Sequence, residues 1–188
     1  VSCLREFGRT RFAAYGNLFS QWLYSENPEP YNSFGNGAGM RISPVGLFAK
    51  DLNECKVLAR TITAVTHNHP EGIKGGEAIA VCVFLARIGK SKNEIRDFVN
   101  KNYYKLNFTL EDLYKGYQWS STCQDSVPQA IECFLESTSF SDAIRNAISI
   151  GGDSDTIAAM TGAIAESFYG IPKYLKRIAK WYCPRGMF

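Results

Sequence analysis

The sequence predicts an all-α protein. Apolar residues recur at three- and four-residue spacing through most of the 188 residues, strand-like alternation is nearly absent, and cap and stop residues stand where the periodic runs begin and end. Arg9 to Tyr24 reads as a first amphipathic helix with Phe12, Leu18, Phe19, Trp22 and Leu23 apolar and Gly16 weakening its middle. Pro28 and Pro30 stop it, and the Pro-, Asn- and Gly-bearing stretch to Asn36 is loop. A short apolar helix from about Met40 to Phe48 follows, then a longer one from Leu52 to about Thr66, parted at Lys50-Asp51.

Pro70 precedes a helix from about Glu71 to Ile88, stopped by Gly89, and its Gly75-Gly76 pair predicts close helix packing. Ser91-Lys92-Asn93-Glu94 fits a capping box ahead of the stripe Ile95, Phe98, Val99, in a helix ending near Tyr103. A short helix at Leu110 to Lys115 and a loop through Gly116 to Asp125 come next. Ser126-Val127-Pro128 opens a helix to Glu136, and Ser141-Asp142 opens one to Ile150. Ile157 to Tyr169 is built from small and apolar residues and reads as buried nearly all round, and a last helix runs from near Pro172 to before Pro184.

The length suits one domain with a proper core, and 45% hydrophobic with 21% charged residues is ordinary for a globular chain. With a net charge of +3 and scattered basic residues, no face for nucleic acid is indicated. No apolar run approaches the roughly 18 residues that span a bilayer, and Arg5, Glu6, Arg9 and Arg11 stand where a signal peptide would be apolar, so a cytoplasmic location and no membrane partner are expected. The six cysteines lie far apart with no Cys-x-x-Cys pair; Cys55, Cys82 and Cys133 fall in helical patterns as small apolar fillers, and all are read as reduced thiols.

The most informative stretch is Gly151-Gly152-Asp153-Ser154-Asp155-Thr156. The glycines allow a tight turn, and Asp153, Asp155 and Thr156 put hard oxygen donors at the positive mouth of an apolar helix, which is how Mg²⁺ or Mn²⁺ is held. An ordinary N-cap is the other reading, although a cap needs only one side-chain oxygen. A second site is Tyr31 to Arg41, where Gly35, Gly37 and Gly39 alternate before a helix and suit phosphate, or make a plain turn; Ser33 and Asn36 could add donors. Both histidines lie in Thr66-His67-Asn68-His69-Pro70, which reads either as a metal pair or, more simply, as a helix-ending turn whose imidazoles satisfy backbone carbonyls. Tyr117 and Trp119 are read as packing residues rather than a nucleotide platform.

The order GNGAGMR at 35–41, THNHPEGIKG at 66–75, SVPQAI at 126–131 and SIGGDSDTIAAMTGAIAESFYG at 149–170 closely resembles the ADP-ribosylglycohydrolase family, including its dinitrogenase-reductase-activating group. The resemblance implies an orthogonal multi-helix single domain, residues 1–188, whose cleft holds two Mg²⁺ or Mn²⁺ ions. It implies hydrolysis of the glycosidic bond between ADP-ribose and a modified protein side chain or small conjugate. By similarity Asp153, Asp155 and Thr156 match metal ligands, with Asp153 or Asp155 as the catalytic carboxylate. Ser33, Phe34, Gly35, Asn36, Gly37 and Ala38 match the segment that holds diphosphate and ribose, and His67 a ligand-contacting histidine.

Family members also carry a Gly-Asp-x-x-Gly element and a Thr-Asp-Asp triplet nearer the N-terminus. Neither is found in these 188 residues, and Val1 to Arg11 resembles the region after the triplet, so the domain reads as N-terminally incomplete. Apolar surface left uncovered and a complementing N-terminal chain are the corresponding expectations. The alternative to an enzyme is a non-catalytic ADP-ribose-binding or structural relative. Position 39 departs mildly from the family, being Gly where Ala is common.

Overall fold

The computed structural model describes residues 1–9 and 15–182, and among them the regular structure is helical throughout. In chain order the helices are α1 (Ser2–Gly8), α2 (Asn17–Tyr24), α3 (Gly37–Met40), α4 (Ser43–Phe48), α5 (Leu52–Ala64), α6 (Pro70–Arg87), α7 (Lys92–Asn102), α8 (Leu110–Gly116), α9 (Val127–Leu135), α10 (Phe140–Ser149), α11 (Ser154–Tyr169) and α12 (Lys173–Tyr182). The all-α expectation is met.

Helix α6 is the axis of the molecule. Apart from Glu77 its residues from Gly75 to Ala86 are apolar or small, all of them are buried, and the helix packs against α3, α4, α5, α7, α9 and α11. The expected close packing at Gly75-Gly76 is present: a Cβ on Gly75 would lie 2.5 Å from the Cys123 sulfur, and one on Gly76 would collide with Thr63 of α5. Helix α11 completes the core against α9 and α10, with Ile157, Met160 and Ile164 at or near zero exposure. Buried Glu132 of α9 is held by both guanidinium nitrogens of Arg96 on α7, at 2.9 and 2.6 Å, so a charge inside the core is compensated.

Local signals set the boundaries. The Ser91–Glu94 capping box forms, and a second one, unforeseen, joins Thr109 and Asp112. Gly89 ends α6 at φ +81°, with the Lys90 N–H reaching the Leu85 carbonyl at 3.0 Å. Cys55, Cys82 and Cys133 are buried free thiols, as the helical pattern implies, while Cys183 lies outside the described residues.

Several boundaries differ from expectation. The predicted Arg9–Tyr24 helix is not one element: α1 ends at Gly8, and Gly16 is the N-cap of α2 instead of its middle. Phe12 lies outside the described residues. The predicted Met40–Phe48 helix is two pieces parted at Arg41–Ile42, because Pro44, which has no N–H to give, sits in the first turn of a new helix. Helix α10 starts at Phe140, since Ser139, not Ser141, accepts the Asp142 N–H.

Apolar side chains of two neighbouring helices are left exposed: Leu47 and Phe48 of α4, Phe48 to 84%, and Val57, Leu58 and Ile62 of α5.

Candidate functional site

The Gly-Gly-Asp-Ser-Asp-Thr turn links α10 to α11. Gly151 and Gly152 both take left-handed backbone, at φ +76° and +68°, which side chains disfavour, and Tyr117 packs against the Gly152 backbone where a Cβ would sit. Tyr117 is thus the packing residue expected, whereas Trp119 is 68% exposed and is not. Asp153 stands at the N-cap of α11, yet its side chain makes no capping hydrogen bond. Instead its Oδ2 accepts from the Asn36 amide at 2.7 Å, across 117 residues of sequence. The simple capping reading therefore fails for Asp153.

The carboxyls of Asp153 and Asp155 lie within hydrogen-bonding reach of each other. Partial burial, only partly offset by Asn36, and the neighbouring Asp155 carboxyl raise the pKa of Asp153, while the hydrogen bond from Asp153 and the Thr156 N–H, 2.8 Å from Asp155 Oδ1, lower that of Asp155. Two carboxyls so placed share a proton or a cation. Thr156 adds a buried hydroxyl within hydrogen-bonding reach of the Asp153 carboxyl and 3.9 Å from the Met40 sulfur. Three hard oxygens with unspent capacity converge here, and they fit one side of a Mg²⁺ or Mn²⁺ coordination sphere. They do not fill it: among the described residues no group of three or more His, Cys, Asp or Glu could hold a metal ion.

The glycine loop faces this helix mouth, because α3 packs against both α6 and α11. Its approach is pinned by residues 121–123: Gly35 bridges Thr122, the Asn36 N–H reaches the Ser121 carbonyl at 2.7 Å, and the Cys123 N–H reaches the Phe34 carbonyl at 2.8 Å. The Gly35 N–H is taken by Ser33 Oγ at 3.1 Å and that of Gly39 by the Asn36 carbonyl at 2.9 Å, so the loop offers fewer free amides than its glycine pattern suggests. Nor is Asn36 a free donor. It is buried, its amide braced between Asp153 and Ser126 Oγ, and Ser126 in turn donates to the Ser120 carbonyl. Phe34 is partly exposed and its ring lies 5.1 Å from that of His69. Ala38 is buried in the core. A Cβ on Gly39 would meet the Met160 sulfur at 2.5 Å, so that sulfur fills the volume which Ala would claim.

His67 belongs to the same wall. Its Nε2 lies 3.4 Å from where a Gly37 Cβ would stand and 3.6 Å from that of Gly35. Burial, and then the Arg41 cation, push His67 down to about 4, so the ring is neutral at pH 7. Neither histidine satisfies a backbone carbonyl as expected: His67 Nδ1 meets Thr66 Oγ1 at 2.7 Å, and His69 Nδ1 accepts the Glu71 N–H at 3.1 Å, capping α6. Sequence reasoning passed over Ser126, Thr66 and Arg41, although each lies in or beside a quoted motif.

An all-α scaffold that sets a hard-oxygen helix mouth opposite a glycine loop and a neutral imidazole has the makings of a polar small-ligand cleft. The sequence pattern of the ADP-ribosylglycohydrolases matches residues 2–183, and the chain belongs to that family. It is 26% identical to ADP-ribosylhydrolase ARH3 of Homo sapiens, over 74% of this chain and 51% of that protein. It is 26% identical to ADP-ribosylarginine hydrolase Tri1 of Pseudomonas putida (87% and 48%) and 29% identical to ADP-ribosyl-[dinitrogen reductase] glycohydrolase of Rhodospirillum rubrum (73% and 47%). The chain thus spans about half the length of the curated relatives it matches. A solved ADP-ribosylglycohydrolase-related protein complex shares the fold, with a TM-score of 0.68 at 23% identity over 86% of this chain and 62% of that one.

Proposed function

We propose that this chain carries the recognition wall and one side of the metal site of an enzyme that hydrolyses the glycosidic bond between ADP-ribose and a protein side chain or small conjugate. The observation that carries the reading is the Asn36–Asp153 hydrogen bond of 2.7 Å, which joins the glycine loop to the acidic helix mouth. Asp153, Asp155 and Thr156 would hold Mg²⁺ or Mn²⁺. A metal held there would supply charge stabilisation to the reacting sugar. Asn36 aims Asp153, and the carboxyl pair takes the proton of the attacking water as its oxygen bonds the anomeric carbon, then passes a proton to the nitrogen or oxygen that departs with the electrons of the broken bond. Ser33, Phe34, Gly35, Gly37 and Ala38 shape the bed for diphosphate and ribose, with His67 beside it.

Mg²⁺ wants six oxygens, so three side chains leave places for water, substrate and a further acidic segment. A second, complementing segment or chain would supply such ligands, hold a second ion, and cover the exposed apolar side chains of α4 and α5. No helix among the described residues is long and apolar enough to cross a membrane, and the free buried thiols suit a reducing, cytoplasmic compartment.

The test is release of ADP-ribose from an ADP-ribosylated protein with Mg²⁺ or Mn²⁺, by this chain alone and by the chain supplied with the remaining segment of a family-length protein. Release is expected in the second case. Binding of ADP-ribose with no release in either case would establish the non-catalytic relative instead.

A further inference from the structure

We propose that Arg41 and Thr66 form a hydrogen-bond relay that fixes the tautomer of His67, so that its Nε2–H points at the glycine loop as a donor to the bound ADP-ribosyl group. The ligand half of this inference rests on the reading of that loop given above; the tautomer half does not.

The direction follows from what each group can do. A guanidinium only donates. The Arg41 Nη2 contacts Thr66 Oγ1 and lies 3.3 Å from His67 Nδ1. Thr66 Oγ1 accepts from Arg41, and its own proton goes to His67 Nδ1, 2.7 Å away, rather than to the Tyr31 hydroxyl also within its reach, which can itself donate to Thr66. Nδ1 is then an acceptor toward both neighbours, and the ring proton resides on Nε2. The other tautomer would set an imidazole N–H against the guanidinium N–H and leave the Thr66 proton without that acceptor; a charged ring would put a second cation beside Arg41. Thr66 is fully buried and His67 6% exposed, so water competes little for these bonds. The Tyr31 ring lies 6.0 Å from that of His67.

Nε2 is the ring nitrogen that the relay does not use. It faces Gly35 and Gly37, whose missing side chains leave room for a ligand oxygen beside it. Arg41 and Thr66 are positioning residues in this scheme, since they act through the imidazole. His69 provides an internal control, because the Glu71 backbone N–H fixes its tautomer independently of the relay.

Long-range ¹H–¹⁵N correlation spectra of the labelled chain near pH 7 read both rings, which are the chain's 2 histidines. His67, assigned by loss of its signals in His67→Gln, is expected as the Nε2–H tautomer. Thr66→Val should give a mixed pattern at His67 with His69 unchanged, and Thr66→Ser should restore the single form. Affinity for free ADP-ribose should fall about tenfold in Thr66→Val and in Arg41→Met and recover in Thr66→Ser. An Nδ1–H or doubly protonated His67 in the parent, or a Thr66→Val spectrum unchanged at His67, would overturn the relay. A changed tautomer with unchanged affinity would overturn its role in binding. If the parent binds no ADP-ribose, the reading of the loop fails, while the spectra alone still decide the relay.

Discussion

The two walls of the candidate cleft are built in opposite ways. On the imidazole side, Arg41, Thr66 and His67 are largely withdrawn from water and bonded to one another. On the acidic side, Asp153 and Asp155 are at least partly exposed and crowd each other, and the Thr156 hydroxyl has only the Asp153 carboxyl and a sulfur beside it among the described residues. The first wall is satisfied by the chain itself and so holds one geometry. The second keeps oxygen capacity in reserve, which is tolerable where a cation is to be added.

Removing the reserve should have the largest effect. In a family-length protein, Asp153→Ala or Asp155→Ala is expected to lower metal-dependent hydrolysis on the order of 10³-fold, read as kcat at saturating Mg²⁺. An undiminished rate would dissolve the contrast between the walls. Next comes the cost of acid on the buried side. His67 titrates near 4 in the fold against 6.5 ordinarily, so the unfolded chain takes up the proton first. The stability this ring contributes is present above pH 6.5 and is lost as pH falls toward 4, by up to about 3 kcal/mol. Thermal unfolding followed from pH 7 to 4.5 should decline more steeply in the parent than in His67→Gln, and equal slopes would show that the ring is not confined. The smallest effect is expected at the joint between the walls. Asn36→Ala should weaken Mg²⁺ affinity by about 10- to 100-fold without abolishing binding, measured by calorimetry, whereas no change would mean that Asp153 aims itself.

Much of this was readable before any coordinates. Runs with clear 3.6-residue periodicity and strong punctuation, such as Pro70 to Gly89 or the Ser91 capping box, fold as their local chemistry dictates. The glycine pair before Asp153 announced a turn, and φ is positive at both. The break after Met40 was legible in Pro44 but overlooked. What could not be read is pairing over distance. Nothing local shows that Asn36 spends its amide on Asp153, that residues 121–123 zip the glycine loop, or that Thr66 stands between Arg41 and His67. A glycine-rich pattern advertises free backbone amides; only the folded chain shows that Gly35 and Gly39 have spent theirs.

Helix α6 gives the cleft its clock. The His67 turn is tied to its first residues, while α3 and α11 lie along its length. Because α6 is enclosed from Gly75 to Ala86, its amides meet solvent only when the core as a whole opens. The two walls thus share one enclosed helix as their common support, and the movements this arrangement leaves cheapest are side-chain rotations at the rim, on timescales of picoseconds to nanoseconds.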